Sequence, residues 1–376
     1  MKIVIAGGGV GGMAAAIALQ KQGHEVAIFE RARAFGRIGA DVNLTPNAVH
    51  ALDGLGVGDA LRQTAARPEF RISRTWDTGE ETSRLPMSTA AQERYGAPQL
   101  TIHRADILAA LEGALQPGTI RFASAVETAE PDGDGAALVL SDGTRVQADV
   151  VIGADGIHSA VRHALFGEDH PRFTGLVSYR AVFPRERGNG IPNLDSFTKW
   201  WGPTPDRQIV TFPLNRGEEI FVFATTPQQD WSEEGWTLPG DIDELRSAYA
   251  DFHPEARALL DACEDVTRSA LHVREPMPHW SRGAITLLGD AAHPMVPFMA
   301  QGACMAVEDA VVLGRALEGA TGATVPDALK RYEAARIQRT ARVQEGSLAN
   351  DWLKQGTNAD WVYGYDAWAT ELTEPA

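Results

Sequence analysis

Three clusters of residues carry the chemistry open to this sequence. Gly7, Gly9 and Gly12 stand at G-x-G-x-x-G spacing directly after the apolar run Lys2–Ala6, and Glu30 closes a second apolar run, His24–Phe29. Strand, glycines, helix, strand and terminal acid in that order build a dinucleotide site. The glycines admit a tight turn and a pyrophosphate against the backbone, the helix N-terminus offers free N–H groups, and the acid accepts from ribose hydroxyls. The second cluster is Asp155-Gly156, placed by the buried run Val150–Ile152 at the carboxyl end of a strand, where α/β folds bind ligands. Taken alone, Asp-Gly is more often a plain turn. The third is Gly289-Asp290, which ends the run Ala284–Leu288 and leads through a proline-interrupted loop to a helix starting near Gln301.

The elements that must position these clusters read as follows. A helix spans Gly12–Gln20 and closes at Gly23; a second starts at Pro46, so the stretch Gly36–Thr45 before it is a candidate ligand loop. Arg71–Arg84 and Leu100–His103 have strand character, and Arg104–Leu115 is an amphipathic helix. Arg104 opposes the dipole at that helix start, which suits a nearby anion, either a pyrophosphate or Asp106. Leu138–Leu140, the turn Ser141-Asp142-Gly143 and Arg145–Ile152 form strand, turn and strand, and a helix begins near Ser159. Val177–Phe183, Phe197–Trp201, Ile209–Phe212 and Ile220–Ala224 are short aromatic strands of an antiparallel sheet, whose rings either face a planar ligand or form its core. Asp241–Glu264 and Asp327–Trp352 are helical, and the aromatic tail Trp361–Leu372 is expected to pack back on the body.

Composition narrows the classes. A net charge of −16 disfavours nucleic acid as a partner. Two cysteines are too few for a disulfide framework, which suits a reduced, cytoplasmic protein. No signal peptide and no apolar run of membrane length are expected. His158, His163 and His293 lack metal-ligand spacing, Ser159 is not in a G-x-S-x-G elbow, and Cys304 reads as a packing residue, so neither a metal site nor a hydrolase is expected.

Together, G-x-G-x-x-G with Glu30, GADGIHSAVR at Gly153–Arg162 and GDAAHP at Gly289–Pro294 resemble the single-component FAD aromatic hydroxylases of the para-hydroxybenzoate and salicylate hydroxylase type. Within that family, KWW at Lys199–Trp201, HPMVPFMAQGACMAVEDA at His293–Ala310 and WVYGYD at Trp361–Asp366 are most similar to the hydroxylases of 6-hydroxynicotinate. The resemblance implies an α/β fold: a Rossmann-like (GR2-type) FAD-binding domain with an inserted antiparallel substrate-binding sheet and C-terminal helices. Its expected divisions are 1–174, 175–275 and 276–376. It implies FAD as cofactor, NADH or NADPH as reductant, O2, and a small aromatic or pyridine-type substrate hydroxylated through a flavin C4a-hydroperoxide. A monomer or homodimer without membrane attachment is expected. Rival outcomes of the same fold are an epoxidase, a reductase, or a flavin-binding protein without turnover.

By the same resemblance, Gly7, Gly9, Gly11 and Gly12 would form the pyrophosphate turn, Glu30 and Arg31 would take the adenosine end, and Val126 would also contact the cofactor. Arg104 would meet the diphosphate or ribityl side, Asp155 and Gly156 would touch FAD, and Asp290 would bond the ribityl chain. Pro297, Gly302 and Ala303 would lie against the flavin ring, where a helix N-terminus stabilises the negative charge of the reduced form. The 6-hydroxynicotinate pattern has titratable groups at positions that here hold Asn43, Gln208, Phe212 and Phe298, so the same base-assisted deprotonation is not expected at these four catalytic positions. Trp201, Gln208, Phe212 and Phe298 are expected to line the substrate. Arg180 is either a carboxylate partner or a salt bridge at a sheet edge.

Overall fold

The computed structural model describes residues 1–36, 41–231, 233, 235, 237–354 and 358–373. The strand Lys2–Ala6, the helix Val10–Lys21 and the strand Glu25–Phe29 form the first βαβ unit. Lys2–Ala6 lies between Glu25–Phe29 and Val150–Gly153, and the sheet continues through Ile285–Leu287 on one side and Ile120–Arg121 on the other, all parallel. A short edge strand, Ser281–Arg282, turns back antiparallel on Ile285–Leu287. The first helix is rich in alanine because another helix, Gly302–Leu317, lies close against it: a Cβ on Gly314 would stand 3.0 Å from that of Ala18. Large side chains on either helix would force the pair apart.

An eight-stranded sheet lies beside this layer. Its order is Leu238–Gly240, Val266–Val273, Arg172–Pro184, Glu219–Pro227, Gln208–Leu214, Phe197–Trp201, Phe70–Thr75 and Glu81–Pro86. All its pairs are antiparallel except Phe197–Trp201 with Phe70–Thr75, so two strands from before Ser88 complete it. Successive side chains alternate between faces. Trp200, Ile209 and Val222 point to one face and pack with Leu245, Leu259 and Leu260 of the helices Ile242–Ala248 and Pro254–Asp261. Phe197, Phe212, Phe221 and Phe223 point to the other and pack with Val296 and Phe298 from the nucleotide-binding layer.

Several elements differ from the expected ones. Arg71–Arg84 is two strands, because the chain turns at Asp77–Gly79, where Gly79 takes φ +70°. Asp41–Leu44 is a strand paired with Leu100–His103 instead of loop, while Gly39 and Ala40 lie outside the described residues. Arg145–Ile152 divides: Arg145–Ala148 joins a three-stranded hairpin sheet and Val150–Gly153 the parallel sheet. Asp241–Glu264 divides too, since Pro254 has no N–H to continue a helix and instead starts the second one. The last helix is Val325–Ala349, closed by Asn350 at φ 49°. Beyond it, the tail does pack back: Val362 and Tyr363 are fully buried.

Candidate active site

Four of the five glycines of the first turn, Gly7, Gly9, Gly11 and Gly12, have different jobs. A Cβ on Gly7 would meet the Ala154 carbonyl at 2.4 Å, one on Gly12 the Gly7 carbonyl at 2.1 Å, and one on Gly11 the Leu288 side chain at 2.6 Å. These three are demanded by protein packing. Gly9 differs: among the described residues nothing lies within 4 Å of its Cβ position, which leaves an open cradle above the N-terminus of Val10–Lys21. That helix has no acidic residue in its first turn, which leaves its N–H groups and dipole to an external anion.

Glu30 holds the rim of this cradle. Its Oε2 accepts the Gly8 N–H and its Oε1 the Ala32 N–H, each at 2.8 Å. Arg31 beside it is exposed. The Glu30 carbonyl accepts the Ser124 N–H at 2.8 Å, which brings the half-buried Val126 to the same end of the sheet. Asp155 faces its own helix: it accepts from the Ser159 hydroxyl at 2.5 Å and the Ala160 N–H at 2.8 Å, while Gly156 turns with φ +83°. Burial pushes the Asp155 carboxyl up, and these bonds hold it down.

The third cluster converges on one spot. Asp290 sits in a deep but open recess: its side chain keeps solvent-accessible surface, yet the surrounding protein pushes its carboxyl up while His293 and Arg104 pull it down. The Asp290 Oδ1 lies 3.9 Å from where a Cβ on Gly302 would stand, so this acid adjoins the N-terminus of the helix Gly302–Leu317. Gly302 and Ala303 are its first two residues, Pro297 is exposed in front of them, and no acid occupies the first turn. Ala300 enters the turn in the left-handed region at φ 56°.

A buried ionic network fixes this helix from behind. Glu308 and Asp309 are inaccessible, as is Arg336, whose Nη1 and Nε lie 2.7 Å from Glu308 and Asp309 respectively. Arg339 adds a second bond to Glu308 at 2.7 Å. Burial pushes both carboxyls up, but Arg339 and Arg336 at Glu308, and His293 and Arg336 at Asp309, overcome it and hold both below the usual range. Asn47 donates to Glu308 at 2.7 Å, and Gln301 donates to Thr45 at 2.8 Å, which ties the helix start to the strand Asp41–Leu44. Sequence reasoning did not identify this network, because its members come from distant segments.

The face of the eight-stranded sheet beside Phe298 holds the expected substrate residues. Trp201 pairs across strands with Gln208, and Phe212 stacks on Phe197 with centroids 5.2 Å apart. Phe212 and Phe298 belong to one apolar cluster. The same face carries polar atoms without a partner among the described residues: the Trp201 Nε1 and both amide atoms of Gln208. Asn43 is buried; its Oδ1 accepts from Gln99 at 2.8 Å and its Nδ2 has no partner among the described residues.

Arg180 is not at a sheet edge, because Arg172–Pro184 is bracketed by Glu219–Pro227 and Val266–Val273. It donates to Ser269 at 2.7 Å and lies 5.7 Å over the Phe223 ring. It also feels the charge of Asp41, whose carboxyl burial pushes up to about 6 while Arg180 draws it down. Among the described residues, no group of three His, Cys, Asp or Glu side chains is arranged to hold a metal. Cys304 is buried against Thr45, and burial pushes its thiol up to about 11, as suits a packing residue. No helix among the described residues is long and apolar enough to cross a membrane.

Residues 1–347 match the family described as FAD binding domain. The chain is 39% identical to the 6-hydroxynicotinate 3-monooxygenase of Bordetella bronchiseptica over 374 residues, 99% of this chain and 97% of that protein. It is 38% identical to the 3-hydroxybenzoate 6-hydroxylase of Polaromonas naphthalenivorans over 377 residues, 100% of this chain and 93% of that one. A solved salicylate hydroxylase substrate complex superposes with a TM-score of 0.86 at 27% identity, covering 100% of this chain and 98% of the other.

Proposed function

This chain belongs to the FAD-binding-domain family as an FAD-dependent aromatic-ring monooxygenase using NAD(P)H, and from that premise we propose that it hydroxylates a small hydroxylated ring acid of the 6-hydroxynicotinate or hydroxybenzoate kind. One observation carries the reading. The Trp201 Nε1 and the Gln208 amide are buried among aromatic residues and have no partner among the described residues, which is costly for a fold unless a ligand supplies the missing bonds.

The residues fit FAD. The open cradle at Gly9 and the two helix N-termini free of acidic residues suit the pyrophosphate and the anionic edge of a reduced flavin. We assign the pyrophosphate turn to Gly7, Gly9, Gly11 and Gly12, the adenosine end to Glu30, Arg31 and Val126, and the middle of the cofactor to Arg104, Asp155, Gly156 and Asp290. Pro297, Gly302 and Ala303 are assigned to the flavin ring. When bound, FAD reduced by NAD(P)H supplies activated oxygen from O2 to the substrate ring. Phe212 and Phe298 hold that ring flat and exclude water, while Gln208 and Trp201 orient its polar substituents. Asn43 sits on the strand that borders this face and is assigned to the contact between flavin and substrate. The division into 1–174, 175–275 and 276–376 belongs to the same reading. So does a monomer or homodimer in a reducing compartment, where Cys263 and Cys304, both buried and unbridged, are at ease.

The experiment is NADH and NADPH oxidation by the FAD-loaded protein with hydroxynicotinates, hydroxybenzoates and aminophenols, following product mass and peroxide together. A ring acid that speeds oxidation and gains one oxygen without peroxide establishes the substrate class; loss of CO2 with that gain establishes decarboxylation. Peroxide alone with every member would sink the proposed class.

A further inference from the structure

Lys199 is a buried cation without a carboxylate in hydrogen-bond or ion-pair contact among the described residues. It lies on the strand Phe197–Trp201, on the face shared by Phe197, Trp201, Gln208 and Phe212, and is 4% exposed. Its only hydrogen bond among the described residues goes from Nζ to the Asn350 Oδ1 at 2.7 Å. The amine stands 3.6 Å from the centroid of the Trp201 ring and 5.8 Å from that of Phe298, so it occupies the space between the sheet and the loop assigned to the flavin. Trp201 and Gln208, whose unpartnered polar atoms mark the ligand site, are 5% and 1% exposed.

We propose that Lys199 is the base that ionises the ring hydroxyl of the substrate. The neutral amine takes the hydroxyl proton: the substrate O–H bond breaks, an N–H bond forms, and an ammonium is left beside a ring oxyanion. No electrons change hands. The oxyanion feeds charge into the ring and makes its ortho and para carbons better acceptors of an electrophilic oxygen. The inference rests on the hydroxylated-ring reading above.

The surroundings favour this transfer. Arg71, from the strand Phe70–Thr75, and Lys354, from the C-terminal segment, face Lys199 with like charge, and Asp351 opposes them. Burial first, then these two cations, hold the amine well below the usual lysine range, which favours the neutral form that accepts a proton. An excess of two cations over one carboxylate around it also draws in an anionic ring acid.

The test uses FAD-loaded holoenzyme and 4-nitrophenol, a ring hydroxyl visible only when ionised. The wild type should bind it as the oxyanion, with an apparent pKa lowered by at least one unit, and Lys199→Met should abolish that shift with FAD content intact. With a ring acid hydroxylated in the panel, K199M should lower kcat/KM by about 100-fold or more near neutrality, recovering at high pH as the free hydroxyl ionises. A wild-type shift and pH profile in K199M would overturn the proposal, as would failure of the wild type to bind the probe. Should K199M lose its FAD, Lys199→Arg decides: it keeps a cation that accepts no proton, and a full wild-type rate and profile would overturn the role. If probe ionisation follows Lys199 while no panel ring is hydroxylated, the substrate class fails and Lys199 stands.

Discussion

The Nε2 of His293 lies 2.5 Å from the Oδ2 of Asp309, and neither side chain reaches solvent. The same oxygen accepts the Gly289 N–H at 3.1 Å, and Arg336 closes on the other oxygen at 2.7 Å. One buried carboxylate thus joins the loop bearing Asp290, the helix that begins at Gly302 and the long helix Val325–Ala349.

Asp309→Asn keeps the shape and removes the charge, leaving Arg336 with one carboxylate. Breaking a buried pair this way is expected to cost about 3–5 kcal/mol, read from denaturant unfolding of the apoprotein. The Asp309 carboxyl is held low in the folded state, so its contribution is present above the unfolded value, about 3.9, and is lost as pH falls through the folded value. The wild type should therefore lose stability in acid more steeply than D309N. Parallel acid curves would show that Asp309 contributes no net charge stabilisation.

Much of this architecture is legible locally, and the exceptions have physical causes. Lys2–Ala6, Leu100–His103 and Phe197–Trp201 read correctly because composition and alternation suffice for a short buried strand. Arg145–Ile152 reads as one strand because no local signal marks the passage at Asp149 from one sheet to another. The break before Pro254 was available from the proline itself. Lys199 was visible only as part of the KWW run. Alternation puts it on the face of Phe197 and Trp201, but its burial depends on Asn350 and the residues after it, far along the chain.

The glycines separate packing from binding. Gly12→Ala sets a Cβ 2.1 Å from the Gly7 carbonyl, a backbone atom that cannot yield cheaply, and should cost several kcal/mol or prevent folding. Gly9→Ala meets nothing within 4 Å among the described residues and its φ of −74° is ordinary, so the apoprotein should melt as the wild type does. Its FAD affinity should fall by about tenfold or more, since the methyl fills the cradle. Equal thermal loss in both variants would assign Gly9 to packing.

Asp290→Ala tests the middle of the cofactor site. The carboxylate is open to solvent in its recess, adjoins the start of the helix Gly302–Leu317, and is drawn on by Arg104. Removing it strips no helix cap and should leave the fold standing, while the purified protein retains clearly less FAD. Normal FAD content after gel filtration would take Asp290 out of the cofactor contacts.

Gln208 offers a test in which structural and binding roles have opposite signs. Its amide is 1% exposed and neither of its polar atoms has a partner among the described residues, so without a ligand it is a desolvated group short of compensation. Gln208→Leu should therefore leave stability unchanged or raise it by about 1–3 kcal/mol. With substrate the sign reverses: the bonds the amide would make are gone, and KM should rise by about tenfold with FAD binding untouched. Phe212→Ala should also weaken substrate binding, but it opens a cavity beside Phe197 and Phe221 and should cost about 3–5 kcal/mol. A Q208L protein that is less stable and binds the ring acid normally would make Gln208 a structural residue and remove it from the substrate face.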